Sequence, residues 1–422
     1  MVIDFKFKNY MSFADECDFT MLANSDKAHS ENLITFRNSK ISKARVIYGA
    51  NASGKSSFVC AMDFFLHFLR NSNYLLGNSN IGVNPFRFRE DAFNVPSEFS
   101  VTFTVEGVKY IYSFSCTRQK VINEKLDAFY SSKPTCIFER TDTNNYIFKS
   151  DIKKLNDIKS KNSENKLFLV TSATWEYEKT KPVVEYLLNN ILISYDIDRI
   201  WKGYLDKIIE NNEFAEYKQF CLNMLNDADI SINDFAVDSK KVKEIGDSAN
   251  VLLELMQVAT KGNSEAMEQF VNSPIYHFIT THEIKDGNGV SKFNLNLEEE
   301  SLGTVQMFMM SPLLYYVFKD GKTLFVDEID KSLHPILVEH IFKLFLDENI
   351  NTKNAQLIAN THDTNLLNLD IFRRDDIWFT ERDVKSGKTE MYSLADFSPR
   401  KDENIEKAYL LGRYGAIPFI KE

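Results

Sequence analysis

The chain has 422 residues, with 50 Lys or Arg against 60 Asp or Glu, a formal charge of −10. Hydrophobic residues make up 44%, and Gly and Pro number only 15 and 9, which excludes collagen-like and disordered chains and supplies apolar material for more than one ordinary core. The acidic balance also excludes a wholly basic nucleic-acid-binding surface, so any attraction to DNA has to be local.

Val2 to Phe7 alternates apolar and charged residues and predicts a strand; Cys17 to Leu22 offers a second after a turn at Asn9 to Ser12. Ala44 to Tyr48 is a strand candidate that runs straight into Gly49-Ala50-Asn51-Ala52-Ser53-Gly54-Lys55-Ser56. Beyond it, Ser57 to Leu69 places Phe58, Met62, Phe65 and Leu69 at helical spacing. Strand, loop and helix thus frame a complete GxxxxGK[ST] motif, the context in which backbone amides face an anion at a helix N-terminus. The two glycines allow the tight turn, Lys55 supplies a point charge for the β and γ phosphates, and the Ser56 hydroxyl suits Mg²⁺.

Phe99 to Val105 and Tyr110 to Phe114 alternate around Gly107 and predict an antiparallel hairpin, within a β-rich stretch from Phe86 to Phe168. Lys153 to Lys166 is polar and reads as a solvated linker. From Thr174 to Phe270 the spacing turns helical, through Val183, Tyr186, Leu187 and Ile191, then Phe214, Tyr217, Phe220 and Met224, then Leu252, Leu255, Met256 and Val258. No heptad pattern persists long enough for a coiled-coil arm. The expected organisation is an N-terminal lobe over 1–173, a compact helical insert over 174–275 and a C-terminal lobe over 276–422.

In the last part, Ser301-Leu302-Gly303-Thr304 precedes an apolar helix, where a serine can also serve simply as a cap. Asp327 follows 26 positions after Ser301, at the end of the apolar run Thr323 to Val326, with Glu328 beside it. A strand that ends in two carboxylates can deliver a metal ligand, Asp327, and a water-polarising base, Glu328, to the phosphates held by Lys55. Ile329 to Pro335 turns into a helix from Ile336 to Leu346, and a further apolar strand, Ala355 to Ala359, ends in Asn360-Thr361-His362-Asp363; His362 can contact a γ phosphate or orient water.

The cysteines Cys17, Cys60, Cys116, Cys136 and Cys221 form no CxxC pair, which argues against a zinc knuckle and a disulfide scaffold. Apolar runs are far shorter than the roughly 18 to 20 residues that span a bilayer, and the first ten residues carry no signal-peptide core. A cytoplasmic protein without a membrane partner is expected.

These motifs resemble those of ABC-type ATPases of the SMC-like branch, most closely the small ATPases known as abortive-infection or AAA-type proteins of bacterial anti-phage and restriction-linked loci. Gly49 to Ser56 looks like Walker A, Ser301 to Thr304 like the signature loop, Leu324 to Glu328 like Walker B, Asp330 to Pro335 like the D-loop and His362 like the switch histidine. The resemblance covers nearly the whole chain and implies an α/β fold, an ABC-type P-loop ATPase head with an antiparallel β subdomain. It implies ATP and Mg²⁺ as ligands, with Gly49, Asn51, Gly54, Lys55, Ser56 and Ser57 holding nucleotide, Ser56 and Asp327 holding metal, and Glu328 and His362 serving catalysis. It also implies a homodimer of heads, or a higher assembly built from it, in which Ser301 and Gly303 of one copy meet ATP held by the other.

Two departures stand out: no glutamine resembles a Q-loop residue, Gln119 being the nearest available, and the signature lacks the SGG wording. Tyr409 to Pro418, YLLGRYGAIP, resembles a C-terminal tag of the group and has no derivable role from sequence. Relatives with a Toprim nuclease carry a further α/β domain, whereas 60 residues follow His362 here; Asp375, Asp376, Glu381 and Asp383 therefore read as surface or turn residues. The leading expectation is an ATP-dependent sensor of a phage-derived trigger that controls a separate toxin or nuclease. The alternative is a DNA-maintenance ATPase that clamps DNA, which strong, salt-sensitive stimulation of hydrolysis by DNA would reveal.

Overall fold

The computed structural model describes residues 1–77, 79–195, 197–242, 264–286, 289–331, 333–400 and 403–418. The chain divides into two compact units, Met1–Ile200 with Tyr316–Glu422, and Trp201–Tyr315.

In the first unit, six strands form a sheet in the order Ile191–Ser194, Thr323–Val326, Gln356–Asn360, Ala44–Tyr48, Ile377–Arg382, Thr389–Ser393. The first five are parallel and the last is antiparallel. Its three central strands are buried at every position, which explains why they read in sequence as continuous apolar runs rather than alternating ones. The exceptions are paired. Gln356 accepts from the Val2 amide at 2.8 Å and from Thr323 Oγ1 at 2.9 Å. Arg45 lies 3.1 Å from Asp376 Oδ1.

A second sheet of seven antiparallel strands runs in the order Asn145–Ile147, Thr135–Thr141, Val121–Phe129, Val108–Cys116, Ser97–Val105, Val2–Lys8, Cys17–Thr20. The helix Lys55–Asn71 packs against both sheets. Phe58 meets Phe5 and Phe19 on one side and Phe325 on the other, while Phe64 and Phe65 reach Phe99 and Phe114. Each such ring, fully buried, stabilises the fold by about 1.5–3 kcal/mol, so the helix that opens at Lys55 is held from two sides.

Two sequence expectations change here. Lys153 to Lys166 is not a plain linker: Ile152–Lys159 is a helix whose Leu155 and Ile158, three positions apart, are buried. The next helix, Phe168–Thr174, is capped from afar by Glu124, whose carboxylate accepts from the Phe168 and Leu169 amides at 2.7 and 2.8 Å. Asp375 and Asp376 are buried rather than at the surface. They sit in the short turn Arg374–Asp376, between Arg45 and Arg373, which is 2.9 Å from Asp375 Oδ1. These aspartates neutralise arginines inside the fold, since buried charges persist only when paired.

The second unit contains an antiparallel sheet of Asp234–Lys241, Pro274–Asp286 and Gly289–Asn296. Phe235 packs against Phe214, Tyr217 and Phe308, and the Tyr217 hydroxyl is 2.8 Å from Ser311 Oγ. The stretch read as helical therefore also contributes strands, because Asp234–Lys241 is polar enough to hide its pairing role. The helix expected through Leu252, Leu255, Met256 and Val258 lies outside the described residues. Among those described, no helix is long and apolar enough to cross a membrane.

Candidate nucleotide site

The loop from Gly49 to Gly54 joins the central strand Ala44–Tyr48 to the helix Lys55–Asn71. Neighbouring strands fix it. Ser53 Oγ lies 2.7 Å from Thr380 Oγ1, and Thr389 Oγ1 donates to Ser53 O at 2.8 Å. This closeness explains both glycines: a Cβ on Gly49 would come within 2.5 Å of Thr380, and one on Gly54, at φ +118°, within 2.5 Å of Thr389 Cγ2. The helix carries no side-chain cap at this end, so its first amides, which have no intrahelical partner, are available to an anion.

The Lys55 ammonium curls over the loop and donates to Gly49 O at 2.7 Å and Ala50 O at 3.2 Å. Burial lowers its pKa, while the carboxylates of Glu328, Asp327 and Asp330 oppose that shift. Lys55 and the three carboxylates thus share one electrostatic neighbourhood. Topology explains the meeting, since the parallel strands that end at Tyr48, Asn360 and Val326 are adjacent and open their carboxyl ends on the same edge.

Asn360, fully buried, connects these ends. Its Nδ2 donates to Asp327 Oδ1 at 2.5 Å, and its Oδ1 accepts from the Glu328 amide at 2.6 Å. Glu328 has φ +55°, a left-handed conformation that costs a non-glycine residue about 1–2 kcal/mol. The bend leaves its side chain exposed. Asp330 accepts from the His362 amide through Oδ2 at 3.1 Å, while its buried Oδ1 has no hydrogen-bond partner among the described residues. His362 is exposed. Of the D-loop stretch, Ser332 lies outside the described residues.

Sequence reasoning assigned no role to Asn360 or to Tyr195. A polar residue that ends an otherwise apolar buried strand was the available clue to the first. Tyr195 follows the strand Ile191–Ser194, whose last carbonyl accepts from the Asp327 amide at 2.9 Å. Its hydroxyl is 3.2 Å from Asp63 Oδ2 and 3.5 Å from Cys60 Sγ. Ser56, Cys60 and Asp63 share one helix face by their spacing. Burial raises the Cys60 pKa, with Asp327 among the charges that add to it. Gln119, by contrast, lies exposed in the turn between two strands of the antiparallel sheet, its amide bonded to Thr117 Oγ1 at 3.3 Å.

Ser301 and Gly303 belong to the other unit. Ser301 is exposed and caps the helix Leu302–Asp320, accepting from the Thr304 amide at 3.2 Å. The same hydroxyl lies 2.8 Å from Thr304 Oγ1, so the cap engages it twice.

A magnesium ion fits the donor set near Lys55. Ser56 offers an exposed hydroxyl and Asp327 a carboxylate already oriented by Asn360, the hard oxygens that Mg²⁺ combines with water and phosphate. Among the described residues there is no cluster of three or more His, Cys, Asp or Glu that could hold a metal by itself. Replacing Asn360 by alanine should lower stability by about 1–3 kcal/mol, because the Glu328 amide loses its acceptor. Urea denaturation would measure this, and unchanged stability would contradict the bridging role.

A glycine-containing loop at a helix start, with paired carboxylates just past the end of a parallel strand one removed from it in the same sheet, defines a P-loop nucleotide-binding class. Residues 46–368 match the family model described as "AAA domain, putative AbiEii toxin, Type IV TA system", and the chain belongs to this family. No curated protein is significantly similar. Among solved structures, an Smc head bound to the C-terminal winged-helix domain of ScpA is 11% identical over 93% of this chain and 97% of that one, with a TM-score of 0.41. An Smc head domain with an extended coiled coil, bound to the C-terminal domain of ScpA derived from Pyrococcus furiosus, is 12% identical over 98% of each chain, with a TM-score of 0.38.

Proposed function

We propose that the chain is a Mg-ATP-dependent ATPase whose nucleotide joins two copies head to tail, and that this cycle controls a separate effector protein in a bacterial defence system. The observation that carries the reading is that the Gly49–Gly54 loop and Lys55 open on the same sheet edge as Asp327 and Glu328, which Asn360 ties to the end of the strand between them. In this reading the amides of the loop and first helical turn, from Gly49 and Asn51 to Gly54 and Ser57, cradle the phosphates. Lys55 leaves the carbonyls of Gly49 and Ala50 for the β and γ phosphates. Ser56 and Asp327 hold Mg²⁺, which would supply positive charge to the phosphate oxygens. Glu328 takes the proton of the attacking water, and His362 contacts the γ phosphate. Ser301 and Gly303 of the second copy complete the site.

Support for a defence role comes from the family description, with its "putative AbiEii toxin, Type IV TA system", and the acidic composition favours a protein partner over DNA. A phage-derived component would be the trigger. The test is the mass of the assembly under native conditions. Mg-ATP should convert monomer to dimer, and Ser301→Arg should block that conversion by bulk and charge while it leaves nucleotide binding intact. Normal ATP-dependent dimers of Ser301→Arg would contradict the shared site.

A further inference from the structure

Beside the loop lies a cavity of about 810 Å³, within the size range of sites that enclose a small ligand. One wall is Ala50–Ser53; the others are Phe88, the turn from Arg382 to Lys388, and Ala416–Pro418. The last belongs to the YLLGRYGAIP stretch, to which sequence and the proposed chemistry assign no role.

This wall is firmly built. The Tyr409 hydroxyl donates to Ala416 O at 3.0 Å and that of Tyr392 to Tyr414 O at 2.8 Å. Gly415 has φ +68°, and a Cβ there would lie 2.6 Å from Glu381 Oε2 and 2.7 Å from the Tyr392 hydroxyl. Tyr414 stacks on Phe379 of the central sheet, and its hydroxyl donates to Glu403 at 2.9 Å. This anchoring holds Ala416–Pro418 in the same cavity as Ala50–Ser53.

The facing wall is aromatic and cationic. Phe88 is 66% exposed. Its ring sits over Gly387, where a Cβ would intrude to 2.7 Å, and the Arg382 guanidinium is 5.6 Å from its centroid. Arg382 Nε donates to Gly387 O at 3.0 Å, and Asp383 Oδ1 accepts from the Lys385 and Ser386 amides, so the turn is braced too. An exposed aromatic ring and a guanidinium that share a cavity with the Ala50–Ser53 loop match a planar base joined to phosphates, because bases stack on both groups.

We propose that this cavity takes the base and ribose of the nucleoside triphosphate, with Phe88 and Arg382 stacking on the base and Ala416–Pro418 closing the opposite side. The inference rests on the P-loop reading and deepens it: the C-terminal stretch becomes part of the nucleotide site, and the cavity walls determine which base is accepted.

Titration calorimetry with ATP and with inorganic tripolyphosphate, each with Mg²⁺, separates base from phosphate recognition. Phe88→Ala and Arg382→Ala should each weaken ATP binding about tenfold, as expected for loss of one stacking partner, and leave tripolyphosphate affinity unchanged. Phe88 is exposed, so its truncation spares the core. Lys55→Ala should weaken both ligands. Unchanged ATP affinity in both wall variants, with Lys55→Ala defective for both ligands, would overturn the cavity assignment alone; full affinity of Lys55→Ala for tripolyphosphate would overturn the P-loop reading beneath it. Photolabelling with 8-azido-ATP gives an independent readout. Label in peptides that contain Arg382–Lys388 or Tyr414–Pro418 supports the assignment, and label confined to other peptides overturns it.

Discussion

Lys55→Ala is expected to raise the Kd for Mg-ATP by about a hundredfold or more, since hydrogen bonds to charged groups contribute about 1.5–3 kcal/mol each and one ammonium serves two phosphates. The fold should survive. Among the described residues the ammonium bonds the carbonyls of Gly49 and Ala50, and its burial already disfavours the charge. Titration of the variant with Mg-ATP, alongside its urea denaturation curve, separates the two effects. Unchanged affinity in a folded variant would remove the loop from the site.

Glu328→Gln should retain nucleotide and lose hydrolysis by about 10²–10⁴-fold, the range that a positioned general base contributes. The amide fills the same space and keeps the backbone amide's bond to Asn360. Single-turnover phosphate release would show the loss, with the ATP-bound dimer accumulating. A companion variant uses the strained backbone. Glu328→Gly should be more stable than wild type, because glycine accepts φ +55° without the penalty that glutamate carries, yet should be as inactive as Glu328→Gln. If Glu328→Gly instead loses stability, the bend is not a strained position held for its side chain.

Local chemistry was legible in the sequence and lateral arrangement was not. The strand, loop and helix around Gly49 to Ser56 are contiguous, so spacing alone exposes them. Asp327 and Glu328 stand out in the sequence as two acids at the end of a short apolar run, a signal that gains weight beside the Lys55 motif. What sequence could not show is that Gln356–Asn360 lies between the other two strands, and with that order the bridging position of Asn360 was hidden. Asp375 and Asp376 misled for a related reason. Each looks solvent-exposed until Arg45, in the middle of an apolar strand, is recognised as needing a buried counter-charge. The helix Ile152–Lys159 escaped notice because only Leu155 and Ile158 mark its buried face, and tertiary packing rather than propensity holds so short a segment. Tyr195 is a different case: Asp63 and Cys60, which it meets, lie 132 and 135 positions earlier in the chain, a separation across which periodicity carries no information.

The central claim is that each catalytic site is built from two copies, and mixing two inactive variants tests it most directly. A head-to-tail heterodimer of Lys55→Ala and Ser301→Arg has one site damaged on both sides and one intact, in which the Lys55→Ala copy lends its Ser301 loop to the other copy's Lys55. Each variant alone should be inactive, and their mixture should recover ATPase activity in proportion to the heterodimer fraction, followed by phosphate release together with native mass spectrometry. Full activity of Ser301→Arg by itself would contradict the account.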